Sequence, residues 1–167
     1  MKYLKIIFLL ICITGFSQTK VGTINVDFII SNMPELETVK KEVEEYGTKL
    51  DADLQKKLED YQAKLKVYKE GEATFTDAQK QEKQLELRNA ENDITKFQQN
   101  GSKLININRD EKMRPLYTKI GEALDKVAKK QSYTQVLTAN SSLAYYDNKY
   151  DVTLLVIKEL GIEVEEK

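Results

Sequence analysis

A charged, helix-forming stretch from about Glu35 to Gln131 is the sequence feature that most constrains this fold. It contains no proline between Pro34 and Pro115, and helix-favouring Lys, Glu, Gln, Leu and Ala dominate it. Apolar residues in its first half recur every three or four positions. That spacing predicts a long helix with one apolar stripe, as in a coiled coil. The stripe consists of Leu36, Val39, Val43, Tyr46, Leu50, Leu54, Leu58, Tyr61, Leu65 and Tyr68.

A break near the middle predicts that this stretch folds back on itself. Gly71 is a helix stop signal, and Thr76-Asp77-Ala78-Gln79 has the form of a capping box that starts a second helix. The second helix has an apolar stripe that includes Leu85, Ala90 and Ile94. We therefore predict an antiparallel helical hairpin, with helices roughly 50 and 75 Å long. This arm covers residues 35–114, with its tip at about 71–77, and projects from the rest of the chain.

A turn centred near Thr74 predicts that facing residues have numbers summing to about 148, as antiparallel pairing requires. Gly47 then lies opposite Gly101. Each glycine inside a helix costs about 1 kcal/mol relative to alanine. The pair is open to two interpretations, which are close packing of the two backbones or a flex point at which both helices bend together.

The two ends of the chain are predicted to form one small body from residues 18–34 and 115–161. We predict strands at residues 20–26 (with Val21, Ile24 and Val26), 133–138 (with Val136 and Leu137) and 143–146 (with Tyr145). Asn32 is expected to cap the first arm helix, Asp151 to cap a last helix ended by Gly161, and Pro115 to kink the second arm helix. The fold class is therefore α+β and predominantly α, with an acidic tail at 162–167.

Three strands with open edges make a poor independent sheet. Several copies that close into a β-barrel would remove those edges. The sequence therefore predicts a homo-oligomer assembled through the body.

Residues 1–17 have the pattern of a secretory signal peptide. Lys2 and Lys5 precede a short apolar core, and Gly15 and Ser17 are small residues suited to cleavage before Gln18. We predict export to the periplasm with cleavage near Ser17. A lipoprotein and an uncleaved anchor are the alternatives, and Ile11 before Cys12 disfavours the first. Cys12 is the only cysteine, so the mature chain would contain no thiol.

Composition argues against catalysis, metal binding and nucleic-acid binding. The chain has no His, and carboxylate pairs such as Glu44-Glu45 lie among lysines, as expected of solvated helix faces. Residues 35–130 hold 20 basic and 20 acidic side chains. Nucleic-acid binding would need a net basic stripe. We predict no catalytic residue, no metal site and no cofactor.

Five segments resemble the Skp/OmpH family of periplasmic chaperones in residue type, order and spacing, over about residues 18–161. They are Lys20-Val-Gly-Thr-Ile-Asn-Val-Asp27, Ile30-Ser-Asn-Met-Pro-Glu35, Lys119-Ile-Gly-Glu-Ala-Leu-Asp-Lys-Val-Ala-Lys129, Tyr133-Thr-Gln-Val-Leu137 and Tyr150-Asp-Val-Thr153.

The resemblance implies a trimer with a β-barrel body and three helical arms around a cavity. It implies an ATP-independent holdase that keeps unfolded outer-membrane proteins from aggregating, without catalytic residues. Two features depart from the family pattern. Ser132 stands where the family often has glycine, and the mature chain is slightly acidic whereas some members are strongly basic. Membrane contact is therefore expected to be indirect at most.

Aromatic residues on the arm are the candidate contacts to an unfolded protein. The alternative is that these rings only close the two helices onto each other. The matching alternative function is a structural coiled-coil spacer or adaptor of the cell envelope without chaperone activity. The candidates are Tyr46, Tyr61, Tyr68, Phe75 and Phe97.

Overall fold

The computed structural model describes residues 19–163, so the predicted signal peptide and the end of the acidic tail lie outside the described residues. The predominantly helical α+β fold is confirmed. One compact unit runs from Pro34 to Leu116, and the other combines the chain up to Met33 with the chain from Tyr117 onward. The elements in chain order are β1 (Val21–Ile24), α1 (Val26–Ser31), α2 (Glu35–Gly71), α3 (Asp77–Lys130), β2 (Gln135–Thr138), a 3-10 turn (Asn148–Tyr150) and α4 (Thr153–Glu159).

The predicted pair of long helices is present, with α2 of 37 residues and α3 of 54 residues, the latter continuous through Pro115. The capping box at the start of α3 forms as predicted. The Thr76 N–H donates to Gln79 Oε1 over 2.9 Å, and the Gln79 N–H donates to Thr76 Oγ1 over 3.3 Å. The N–H groups of Thr76 and Gln79 have no acceptor within the helix, so these side chains supply their hydrogen bonds. The capping box therefore fixes where α3 begins.

The register of the hairpin differs from the predicted one. Side-chain contacts between α2 and α3 include Lys57 with Asp93, Glu42 with Lys112, and Tyr68 with Gln84. Their residue numbers sum to between 150 and 154 rather than about 148, which shifts the partners by up to about 1.7 helical turns. The turn between Gly71 and Asp77 sets this offset. The offset could not be predicted from the apolar spacing alone.

The shifted register also removes one interpretation of the two arm glycines. A Cβ added to Gly47 would meet Ile105 Cδ1 at 3.9 Å, which is ordinary contact. A Cβ added to Gly101 would have no heavy atom of the described residues within 4 Å, apart from its chain neighbours and its own helix backbone. The interpretation as close backbone packing is therefore wrong, and the flex point stays a prediction.

The sheet of the other unit has two parallel strands, with Gly22 paired to Val136 and Ile24 to Thr138. The prediction that Val26 belongs to the first strand is wrong. Asn25 Oδ1 accepts a hydrogen bond from the Phe28 N–H, so Asn25 caps α1 and the strand ends at Ile24.

The predicted third strand at residues 143–146 is also wrong. Those residues, including Tyr145, form no strand in the described part of the chain. The second edge of β1 is taken instead by Asp151, which bridges Thr23, and the Val152 N–H donates to Thr23 O over 2.8 Å. Residues 139–150 therefore carry the chain from the β2 side of β1 to its other side.

Apolar side chains from β1, α1, α3 and α4 form the core of this unit. Ile29, Val152 and Val156 are fully buried, and Ile24, Ile30, Ile120, Val127 and Ile157 are nearly so. Asp151 Oδ1 accepts from the Thr153 N–H at the start of α4, which ends before Gly161 at φ 73°. The predicted Asn32 cap is wrong, because the Asn32 amide donates to Phe28 O and closes α1 instead.

Ser132 ends α3 in a left-handed conformation, with φ 55°. The Tyr133 N–H donates to Ala128 O over 2.9 Å and the Ser132 N–H to Lys129 O over 3.3 Å, which is the Schellman pattern. This position normally carries glycine, because the Cβ of other residues is strained there.

We expect Ser132→Gly to raise the free energy of unfolding by about 1 kcal/mol, since it removes the left-handed strain. Urea unfolding followed by circular dichroism at fixed protein concentration measures the change. Ser132→Ala is the control and should give no such gain, because alanine keeps the Cβ. Equal stabilisation by both substitutions would contradict the role of φ.

Candidate functional site

The five candidate aromatic residues all lie in the helical hairpin unit, and all are partly buried. None reaches the exposure of the most accessible apolar residues in the same unit. Each ring therefore packs partly on the hairpin and leaves part of its surface accessible. Their contact with an unfolded protein remains a prediction. The five are Tyr46, Tyr61, Tyr68, Phe75 and Phe97.

Tyr68 and Phe75 form an aromatic cluster at the tip, with ring centroids 6.5 Å apart. The Tyr68 hydroxyl accepts from Gln84 Nε2 over 2.8 Å, which fixes the ring between the helices. Phe75 lies over Gly71, where an added Cβ would come within 2.7 Å of Phe75 Cε1. The glycine therefore creates the space that the Phe75 ring occupies.

A second cluster surrounds Phe97 nearer the middle of the hairpin. The Lys57 ammonium lies 5.4 Å from the centroid of the Phe97 ring and forms an ion pair with Asp93 across the two helices. The neighbouring Ile94 is buried. The ion pair and the cation–π contact thus lie beside a buried apolar residue, and Phe97 itself is partly buried.

The hydrogen bond from Lys57, and next its positive charge, lower the pKa of Asp93 below the ordinary value of 3.8. A carboxylate with a lowered pKa stabilises the folded state above the ordinary pKa, and this contribution is lost as the pH falls through the folded value. We expect a carbon-detected NMR titration of Asp93 to have its midpoint below 3.8 in the native protein.

Lys57→Gln should move that midpoint upward, since the main cause of the shift is gone. Lys96→Gln is the matched control and should move it less, because Lys96 contributes the smallest of the lowering effects. The same midpoint in the native protein and in Lys57→Gln would contradict the assignment.

Three aliphatic side chains of the hairpin unit are more accessible than the five aromatic rings. They are Val67, Leu85 and Ile107, each about half exposed. The sequence interpretation missed Val67 and Ile107, and it placed Leu85 in the stripe. Val67 directly precedes Tyr68 of the stripe and so breaks the three-to-four spacing, whereas Ile107 follows Leu104 by three. The break in spacing was therefore an available signal for Val67 alone.

The residues predicted for oligomerisation divide into two groups. Val21, Leu137 and Tyr145 are exposed and Val136 is half-buried, so all four offer surface to a partner. Ile24 lies in the core, and Val26 lies in α1, half-buried. Most exposed large apolar residues of the described chain belong to the unit that contains the sheet rather than to the hairpin unit. They are Val21, Phe28, Tyr117, Leu137, Tyr145, Tyr146, Tyr150, Leu154 and Leu155.

Within residues 19–163, no cluster of three or more His, Cys, Asp or Glu side chains is arranged to hold a metal ion. No helix in that range has both the length and the apolar character that a membrane span requires.

Residues 20–160 match the family model described as outer membrane protein (OmpH-like), and the chain belongs to this family. A chaperone protein Skp from Pectobacterium atrosepticum is 28% identical over 146 residues, which cover 84% of this chain and 85% of the relative. An OmpH-like protein from Caulobacter crescentus has a similar solved structure, with a TM-score of 0.63 and 13% identity. The match covers 87% of this chain and 86% of that one, and it supports the fold alone.

Proposed function

We propose that this protein is an ATP-independent periplasmic holdase that binds unfolded outer-membrane proteins and prevents their aggregation. The observation that carries the proposal is the match to chaperone protein Skp along most of both chains. Membership of the OmpH-like family over residues 20–160 supports it further. Under this proposal residues 1–17 direct export and are removed near Ser17, and no cofactor takes part.

The hairpin surface has the properties that a holdase needs. Partly accessible aromatic rings and the exposed Val67, Leu85 and Ile107 are spread over a densely charged pair of helices. Apolar groups that are scattered in this way can contact an unfolded chain without collapsing on one another. Each contact is weak, and several copies that hold the same chain would add their contacts by multivalency.

We propose that copies of the chain assemble through the body, forming a trimer with a cavity between the hairpins. The support is the concentration of exposed apolar side chains on the body, including Leu137, Tyr145 and Leu154. A two-stranded sheet is also marginal by itself. Contact with further copies would cover the exposed side chains and stabilise the sheet.

The test is dilution of a urea-unfolded outer-membrane protein into buffer with and without this protein, followed by light scattering. We expect aggregation to be suppressed at about one trimer per client. Replacement of Val67, Leu85 and Ile107 by Gln should weaken suppression. Gln at the exposed Lys64, Lys66 and Lys69 is the matched control. Undiminished aggregation with the native protein would overturn the proposal and favour a structural spacer.

Gly101→Ala tests the flex point. The substitution has space around the new methyl group, so we expect a gain of about 1 kcal/mol in the free energy of unfolding from helix propensity alone. Hydrogen exchange of residues 98–104 should slow by more than Ser102→Ala achieves, since that control does not remove a glycine. Equal exchange in both variants would argue against bending at Gly101.

A further inference from the structure

A groove lies between α1 and α4 in the body, beside the 3-10 turn, and we call it the α1–α4 groove. The Asn25 N–H donates to Thr153 Oγ1 over 2.8 Å, which ties the start of α1 to the start of α4. The volume of the groove is about 340 Å³, at the small end of the range of about 300–1,000 Å³ for ligand pockets. Its lining residues are Asn25, Phe28, Asn148, Asp151, Thr153 and Leu154.

Two large apolar side chains of the α1–α4 groove are accessible to solvent. Phe28 is 41% exposed and Leu154 is 55% exposed. Together they expose on the order of 200 Å², taking about 200 Å² for a whole large side chain. A standard protein interface buries about 800 Å² per partner. The groove is therefore of a size to hold one or two side chains of a short segment, and it is too small to bind a folded domain by itself.

Two asparagine side chains of the α1–α4 groove retain hydrogen-bonding groups for a ligand. Asn25 Oδ1 accepts from the Phe28 N–H over 2.9 Å, whereas the Asn25 side-chain NH2 group makes no hydrogen bond within residues 19–163. The Asn148 side chain makes none in the same range. A side-chain amide carries both donors and an acceptor. These groups can therefore pair with the N–H and C=O groups of an extended peptide.

The charge of the α1–α4 groove favours a basic ligand. Asp151 is the charged residue among those that line the groove, and neither a lysine nor an arginine is one of them. Asp151 Oδ1 accepts from the Thr153 N–H over 2.8 Å and from the Thr153 hydroxyl, which holds the carboxylate at the groove. Asp27 of α1 is exposed. The ammonium of Lys149 pairs with Asp147 over 3.0 Å. A cationic group in the groove would therefore meet an uncompensated carboxylate.

We propose that the α1–α4 groove binds an extended segment of a second, different protein. The segment places an apolar side chain against Phe28 and Leu154, and a neighbouring lysine or arginine against Asp151. A two-fold contact between the grooves of two copies is disfavoured, because it would bring identical carboxylates together. This activity goes beyond holding unfolded chains. It assigns Leu154 to the partner protein and leaves Leu137 and Tyr145 to the assembly.

A peptide titration tests the site. The probe is the acetylated and amidated peptide Gly-Ser-Leu-Lys-Ser-Gly, added to the ¹⁵N-labelled native protein. We expect saturable shifts of the side-chain amide signals of Asn25 and Asn148. A peptide with Ser in place of Leu should bind about 10-fold more weakly, because it buries no apolar side chain. A peptide with Glu in place of Lys should bind about 10-fold more weakly as well, because it loses the charged partner of Asp151.

Substitutions in the protein show whether the shifts report the α1–α4 groove. Leu154→Gln should weaken binding of the Leu-Lys peptide about 10-fold. Leu85→Gln is the matched control and should leave binding unchanged, because Leu85 is 54% exposed but lies in the hairpin unit. Asn148→Ala should also weaken binding, whereas the exposed Asn106→Ala in α3 should not.

Four results would overturn the proposal. The first is the absence of saturable shifts up to about 10 mM peptide, where binding would be weaker than millimolar. The second is equal affinity for all three peptides. The third is displacement of the peptide by a urea-unfolded outer-membrane protein, which would assign the groove to the client. The fourth is a smaller oligomer of Leu154→Gln than of the native protein by light scattering, which would assign Leu154 to the contact between copies.

Discussion

Gly22→Ala is expected to destabilise the body by about 1–3 kcal/mol, the usual cost of overpacking a tight site. A Cβ at Gly22 would lie 2.8 Å from Tyr133 Cε1 and 3.1 Å from the backbone oxygen of Tyr150. Movement of the ring would disturb its contact with the Lys20 ammonium, which lies 4.0 Å from the ring centroid. The backbone oxygen is still less able to move. Urea unfolding at fixed protein concentration, followed by hydrogen exchange of the β1 amides, measures the loss.

Gly121→Ala is the matched control for this substitution. Gly121 lies on α3, and a Cβ there has open space among the described residues. The same added methyl group should stabilise the protein by about 1 kcal/mol through helix propensity. A neutral or stabilising Gly22→Ala would show that the Tyr133 ring does not confine this position.

Thr153→Val is expected to cost about 1–3 kcal/mol, because it leaves a buried donor without its acceptor. Thr153 is buried, and its hydroxyl oxygen accepts from the Asn25 N–H over 2.8 Å and donates to Asp151 Oδ1. One hydroxyl thus joins the end of β1 to the start of α4. Thermal unfolding, with α4 monitored by hydrogen exchange, measures the change.

Thr153→Ser separates the hydroxyl from the methyl group. Serine keeps both hydrogen bonds and loses only one buried methyl group, so the loss should be at most about 0.8 kcal/mol. If Val and Ser gave equal losses, the stabilisation would come from packing and not from the hydroxyl.

The parts of the fold that were predictable from sequence depend on local signals. The capping box Thr76–Gln79 and the stop at Gly71 act within one helical turn, so the hairpin and the start of α3 could be inferred from neighbouring residues. Val26 was misassigned because Asn25 competes as a helix cap, and a run of apolar residues after it suits a strand or a helix equally.

The absence of the third strand could not be predicted from sequence, because it depends on residues outside that segment. Leu143–Tyr146 have the composition of a strand, yet Asp151 occupies the second edge of β1. Competition for an edge is a tertiary effect, and neither segment contains a signal for it. The hairpin register was missed for a similar reason, since ion pairs such as Glu42 with Lys112 report an offset that the apolar stripe does not encode.

The surface exposed by the hairpin was also only partly predictable from sequence. Tyr46, Tyr61 and Phe97 attracted attention because they follow the helical spacing, and the same spacing turns them towards the partner helix. Val67 breaks the spacing and is exposed, but Leu85 of the stripe and Ile107, three residues after Leu104, are exposed as well. In this helical pair, the spacing alone does not identify the apolar residues that are available to another molecule.

The hydrogen bond from Thr134 Oγ1 to Lys20 O joins residues that are 114 positions apart, and all of α2 and α3 lie between them. Contacts between such remote positions form late, after local helices. A ribosome must therefore complete the entire hairpin before the first strand has any neighbour to pair with. A polypeptide interrupted short of Gln135 would possess helices but no partner for its first strand, so the small sheet is reserved for chains synthesised almost to the end.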